Sequence, residues 1–188
     1  MQSKRRKIFG RAPELQAGMT MLELMIVVAI AGILAAIAAP SFSDLINTTR
    51  LTSTMTQLTG DLYRARSEAI KRNSRILFCK RDAAGTGCVD GTLYHTSGWV
   101  VCYDTDKDGT CDASTTALPN PIAIHQALSK MTLTLSRADG TTTPIVFNPN
   151  GTQGTAAVTL SLHGTWSAAT TTDRTATIAA TGNISKTP

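Results

Sequence analysis

From Leu24 to Ala39 the chain carries no charged side chain, and Pro40 closes the run. With Met19–Leu22 in front, the apolar stretch is about 20 residues long, enough to cross a bilayer as a helix. One carboxylate, Glu23, interrupts it near its start. A charge at the border of a membrane segment is costly, so Glu23 needs a reason to be there. Beyond Pro40 the pattern turns amphipathic. Leu51, Met55, Leu58, Leu62, Ala65 and Ala69 step by 4, 3, 4, 3 and 4, which lays one apolar stripe along a helix. Gln57, Asp61, Arg64, Glu68 and Arg72 occupy the other faces, Glu68 to Arg72 being a favourable i,i+4 pair. Gly60 allows a close approach, and Asn73 is the expected helix end. The stripe lasts only about three heptads, so it fits packing onto the domain's own sheet better than a free-standing coiled coil.

After Asn73 the period becomes strand-like. Strands are expected at Arg75–Lys80, Gly98–Asp104, Met131–Ser136, Thr143–Phe147, Ala157–Leu162 and Thr175–Ala180, with a short last one within Asn183–Lys186. Gly85, Gly87, Gly109, Gly140, Asn150-Gly151 and Gly182 mark turns, and Gly164–Asp173 reads as a surface arm. The expected class is α+β: a long N-terminal helix, membrane-spanning in its first half, packed on a β-rich head. The expected organisation is a leader at 1–18, an apolar helix at 19–40, an amphipathic helix at 41–73 and the head at 74–188.

Charge changes the meaning of the first segment. The chain's formal net charge is +5, but residues 1–18 hold Lys4, Arg5, Arg6, Lys7 and Arg11 against Glu14, a net of +4. The remaining residues are close to neutral, so the high pI reports on targeting and not on an acidic partner. The basic flank should stay cytoplasmic, giving a single-pass inner-membrane protein with its C-terminal bulk in the periplasm. An ordinary secretory signal is the competing reading, with Ala36-Ile37-Ala38 as its small-residue cleavage site. Glu23 speaks against it. Cleavage between Gly18 and Met19 would free the Met19 amine, a cation that the Glu23 carboxylate of a neighbouring helix could neutralise. Such a pair would set the register between packed subunits, since a charge within an apolar bundle is tolerated chiefly when paired.

Four cysteines, Cys79, Cys88, Cys102 and Cys111, suit an oxidising compartment. They allow three connectivities. The pairing Cys79–Cys88 and Cys102–Cys111 is favoured because each closes a short loop rich in Gly and Asp, contributing about 2–3 kcal/mol. Zinc is the rival reading, but the short C-x-x-C type of spacing is absent. Asp104, Asp106 and Asp108, followed by Gly109, match the opening of a calcium loop, although Thr115 stands where a bidentate Glu would close it. Apart from that possible calcium ion, no cofactor is expected. His95, His125 and His163 have no metal-ligand spacing, and no nucleophile elbow, metalloprotease helix or phosphate loop is present. An enzyme is not expected.

Gly18-Met19-Thr20-Met21-Leu22-Glu23-Leu24-Met25 resembles the prepilin signal of type IV pilins and type II secretion pseudopilins, with Met19 where the family usually has Phe. The resemblance implies cleavage by a prepilin peptidase, N-methylation of Met19, and assembly with other pilins or pseudopilins through the N-terminal helix. Gly32 and Pro40 fall where pilin helices commonly loosen. The run Leu58–Asn73, then Cys79, Gly98-Trp99-Val100-Val101 with Asp104, and Phe147-Asn148-Pro149-Asn150-Gly151 resemble the GspH/FimT family in the same order. That implies a helix packed on two antiparallel sheets and a minor filament subunit. Some members of the FimT branch bind DNA through a C-terminal Gly-Arg-x-Arg element. Here the corresponding place reads Gly182-Asn183-Ile184-Ser185-Lys186, leaving only Lys186 and Arg174 unless folding clusters Arg75, Lys80, Arg81 and Lys130. Phosphate binding needs several cations acting together, so a DNA receptor is the lesser alternative.

Overall fold

The computed structural model describes residues 18–116, 118–154, 156–166 and 173–187. The basic leader and most of the expected Gly164–Asp173 arm lie outside the described residues. The chain divides into two compact units, Met1–Ser41 and Phe42–Pro188.

Helix α1 spans Met21–Arg72. It ends because Asn73 takes a left-handed conformation at φ 50°. The Asn73 amide then donates to the Ile70 carbonyl at 3.4 Å and the Ser74 amide to the Ala69 carbonyl at 3.2 Å. These two bonds satisfy carbonyls that the last turn would otherwise leave open. Among the described residues nine strands follow: β1 (Ile76–Arg81), β2 (Cys88–Val89), β3 (Trp99–Tyr103), β4 (Ala123–His125), β5 (Met131–Arg137), β6 (Ile145–Phe147), β7 (Val158–Gly164), β8 (Arg174–Ile178) and β9 (Ile184–Thr187). One sheet runs β2-β1-β3-β4 with β6 also paired to β1, and the other runs β5-β7-β8-β9. Every strand pair is antiparallel.

Within the second unit the stripe of α1 is the floor of the core. Leu51, Leu58, Leu62, Ala65 and Ala69 are fully buried and Met55 nearly so. They join Ile76 and Phe78 of β1, Trp99 and Val101 of β3, Leu133 of β5, Phe147 of β6 and Leu160 and Leu162 of β7 in one cluster. Alternation along β5 and β7 aims one face inward and the other at solvent. Strands β1 and β3 differ, because both of their faces are buried. Their outer face carries a second small core of Leu77, Cys79, Val100 and Cys102, with Cys88, Cys111 and Val146 packed over it. The structure pairs Cys79 with Cys88 and Cys102 with Cys111, at Cα separations of 5.6 and 5.5 Å.

All seven strands expected from the sequence form, with ends shifted by one or two residues. Two more, β2 and β4, carry no readable alternation: one has two residues and the other three. Both lie at sheet edges, where pairing with a neighbour and not their own pattern makes them strands.

Candidate assembly helix and head surface

The first turn of α1 is built by Thr20. Its Oγ1 accepts the Glu23 amide at 3.2 Å, and its carbonyl accepts the Leu24 amide at 3.1 Å. Thr20 is therefore the N-cap, with Glu23 three residues on as in a capping-box spacing. Glu23 lies exposed in that first turn, where the helix dipole favours a carboxylate. Gly18 and Met19 precede the helix, with Met19 exposed. From Met21 to Ile37 the large apolar side chains are between 47% and 81% exposed, on all sides of the helix. Among the described residues this helix alone is long and apolar enough to cross a membrane. Side chains apolar all round need a lipid or protein environment.

In the head, polar contacts fasten α1 to the first sheet. Trp99 Nε1 donates to Asp61 Oδ2 at 2.8 Å, and the Tyr103 hydroxyl donates to Glu68 Oε2 at 3.2 Å. Glu68 also holds Arg72 at 3.5 Å. His125 stacks on Trp99 at a ring separation of 3.8 Å and bonds Gln57 at 2.9 Å. His95 sits 3.4 Å from the Leu133 carbonyl, and His163 bonds Asp173. The three histidines thus have separate structural partners. Trp166, a loop residue with no role legible in the sequence, covers Gly164 and the edge of the core.

Arg66 is the contact that the sequence did not reveal. Its Nε donates to the Gly151 carbonyl at 3.0 Å and its Nη2 to the Thr181 carbonyl at 3.4 Å. Gly182, at φ 80°, lies so close to the Gly151 carbonyl that a Cβ would collide with it. The Arg66 stretch of α1, the Phe147–Gly151 turn and the Gly182 turn therefore meet in one clamp.

The Asp104 loop brings Asp104, Asp106 and Asp108 together, with one carboxylate oxygen from each within 4.8 Å of the others. Such a donor set suits a hard cation. Asp104 is buried, however, and already has Arg75 Nε 3.1 Å from its Oδ2. Burial pushes the Asp104 carboxyl up, and the Arg75 guanidinium pulls it down. The Thr110 amide holds Asp108 below the usual carboxylate range. Asp112, which could have joined the loop, accepts the Thr105 amide at 2.9 Å and the Thr105 hydroxyl at 2.6 Å.

Arg174 and Lys186 come together on β8 and β9. They line a groove of about 360 Å³ with Thr52, Met55, Thr56 and Thr187. Two of the other basic residues named from the sequence are engaged elsewhere. Arg75 is paired with Asp104, and Arg81 Nε donates to the Ser97 carbonyl at 2.8 Å.

The family model described as "Type II transport protein GspH" matches residues 54–182. The chain belongs to the GspH family. A second model, the prokaryotic N-terminal methylation motif, matches residues 15–39. The GspH-family head and the methylation motif together make this a pilin-like structural protein of the minor pilin or pseudopilin kind, and not an enzyme. Two curated relatives are each a "Fimbrial protein" of Pseudomonas aeruginosa, 36% and 35% identical over an alignment of 147 residues that covers 72% of this chain and 92% of each relative. Two crystal structures of the Pseudomonas aeruginosa (strain PAO1) type IV minor pilin FimU are also similar. They have TM-scores of 0.48 and 0.49 at 18% and 17% identity, covering 74% and 73% of this chain and 90% and 92% of theirs.

Proposed function

We propose that this GspH-family chain is a minor subunit of a type IV pilus, made as a prepilin and cut between Gly18 and Met19 by a prepilin peptidase. The observation that carries the reading is an apolar helix, exposed all round from Met21 to Ile37, joined to a GspH-family head. Before assembly that helix anchors the protein in the inner membrane with the head in the periplasm. In the filament its apolar surface is buried against the helices of other pilins, and Glu23 meets a Met19 amine to fix the register. The curated fimbrial relatives favour a pilus over a secretion pseudopilus.

Calcium has no part in this proposal, because Arg75 already neutralises the buried carboxylate of the Asp104 loop. DNA binding has none either, because Arg174 and Lys186 supply only two cations to their groove. The test is to shear surface filaments from cells producing a tagged chain and to probe them by immunoblot. The chain is expected in the sheared pili, at low abundance beside the principal subunit. A chain confined to the cell fraction, with a secretion defect and intact pili on its deletion, would overturn the pilus assignment in favour of a pseudopilus.

A further inference from the structure

The two disulfides lie side by side. Register places Leu77 opposite Cys102 and Cys79 opposite Val100, so Cys79 and Cys102 are diagonal neighbours on the outer face of the first sheet. The sulfurs of Cys79, Cys102 and Cys111 all lie within 4.8 Å of one another, although Cys79 is bonded to neither of the others. Cys79 and Cys102 are fully buried, whereas Cys88 and Cys111 are half-buried at the rim. A reagent from solvent therefore meets the outer sulfur of each bond first, and the inner sulfur is the leaving group.

We propose that the four cysteines form one thiol–disulfide exchange unit with Cys79 as its relay. A dithiol reductant attacks Cys88 Sγ, and the Cys88–Cys79 bond breaks with its electron pair on Cys79. The reductant's second thiol then attacks the mixed disulfide, freeing Cys88 as a thiol and leaving the reductant as its own disulfide. The Cys79 thiolate is now buried among apolar side chains, which disfavour the charge. It attacks Cys111 Sγ, forming Cys79–Cys111 and displacing Cys102 as a thiolate that takes up a proton. Attack from the other rim starts at Cys111. Reductant there breaks the Cys111–Cys102 bond, and its second thiol frees Cys111 and leaves the reductant as its own disulfide. The Cys102 thiolate then attacks Cys79 Sγ, forming Cys79–Cys102 and displacing Cys88 as a thiolate that takes up a proton. Either route keeps one covalent tie over the outer face of the sheet after one bond is reduced. Every exchanged bond contains Cys79, and none contains Cys88.

The experiment treats the full-length chain in detergent with a limiting dithiol and a chelator, under native conditions. Free thiols are alkylated, and the remaining bonds are mapped by mass spectrometry without reduction. The expected two-thiol species include Cys79–Cys111 with Cys88 and Cys102 alkylated, and Cys79–Cys102 with Cys88 and Cys111 alkylated. Finding only the original bonds, or exchanged bonds that include Cys88, overturns the proposal. Cys88→Ser isolates the step without reductant: Cys79 is expected to be bonded to Cys111 or Cys102 in a measurable share of molecules. Complete alkylation of Cys79 beside an intact Cys102–Cys111 bond overturns it.

Discussion

Arg66 reaches two carbonyls that lie 85 and 115 residues further along the chain. Both belong to tight glycine turns, the Gly151 contact part-buried and the Thr181 contact exposed. Removing the guanidinium in Arg66→Ala should destabilise the head by about 1–3 kcal/mol, because the charged hydrogen bond to the buried Gly151 carbonyl is lost and that acceptor is left without its partner. Arg66→Lys should recover only part of this, since one ammonium cannot reproduce the planar fork. Gly182→Ala should do at least as much damage, through both its positive φ and the collision with the Gly151 carbonyl. Urea unfolding of the three variants checks the order. Asp82 makes a pH-dependent case. The amides of Gly87, Gly85 and Thr86 all donate to its Oδ1, and the Gly87 amide does most to hold the carboxyl below its ordinary 3.8. A depressed folded value means that ionised Asp82 stabilises the fold above its unfolded value and loses that effect as pH falls through the folded one. Asp82→Asn should therefore lower the thermal midpoint at pH 7, and the gap to wild type should narrow below about pH 4.

At the scale of elements, the second half of α1 is held by its stripe. Leu58 is fully buried among side chains of the sheets, and Leu58→Ala should cost about 2–5 kcal/mol. Thr56 lies exposed on the opposite face of the helix, with its hydroxyl bonded to the Thr52 carbonyl, and Thr56→Ala should stay within about 0.5 kcal/mol. Equal losses would mean that the stripe does not face the core. This element was legible because a period of 3.6 repeated over five steps has no other simple cause. Strands β5 and β7 were legible by the same logic with a period of two, and β1 and β3, buried on both faces, as short apolar runs between turns. The edge strands β2 and β4 were not, because pairing with β1 and β3 is what makes them strands, whereas the equally short β6 ends a longer run, Thr143–Phe147, that reads as strand. The Arg66 clamp was invisible for another reason: nothing local marks an arginine whose partners come from distant turns. Of the candidate sites, the four cysteines were readable by spacing, whereas their placement side by side follows from the β1–β3 register, which spacing alone does not encode. The carboxylate spacing of the Asp104 loop was equally readable, but Arg75 as the partner of Asp104 was not.

At the scale of the whole molecule, two observations need a common cause. The chain exposes a helix that is apolar on every side, and it places a carboxylate in that helix's first turn. The proposed burial in a bundle of like helices would explain the first, and the proposed free amine at Met19 would explain the second. Glu23→Ala should then leave membrane insertion and leader removal intact while depleting the chain from sheared filaments. Leaving the Met19 amine unpaired in an apolar bundle costs about 3 kcal/mol or more, a loss of roughly a hundredfold or greater. Both explanations rest on where the mature chain begins. The most direct measurement is the intact mass and N-terminal sequence of the protein recovered from the cell envelope. The account predicts a chain that starts at Met19 with a methylated amine, having lost five of its basic residues with the leader. A chain that begins after Ala38 or Ala39, or that retains its leader in assembled filaments, would contradict it.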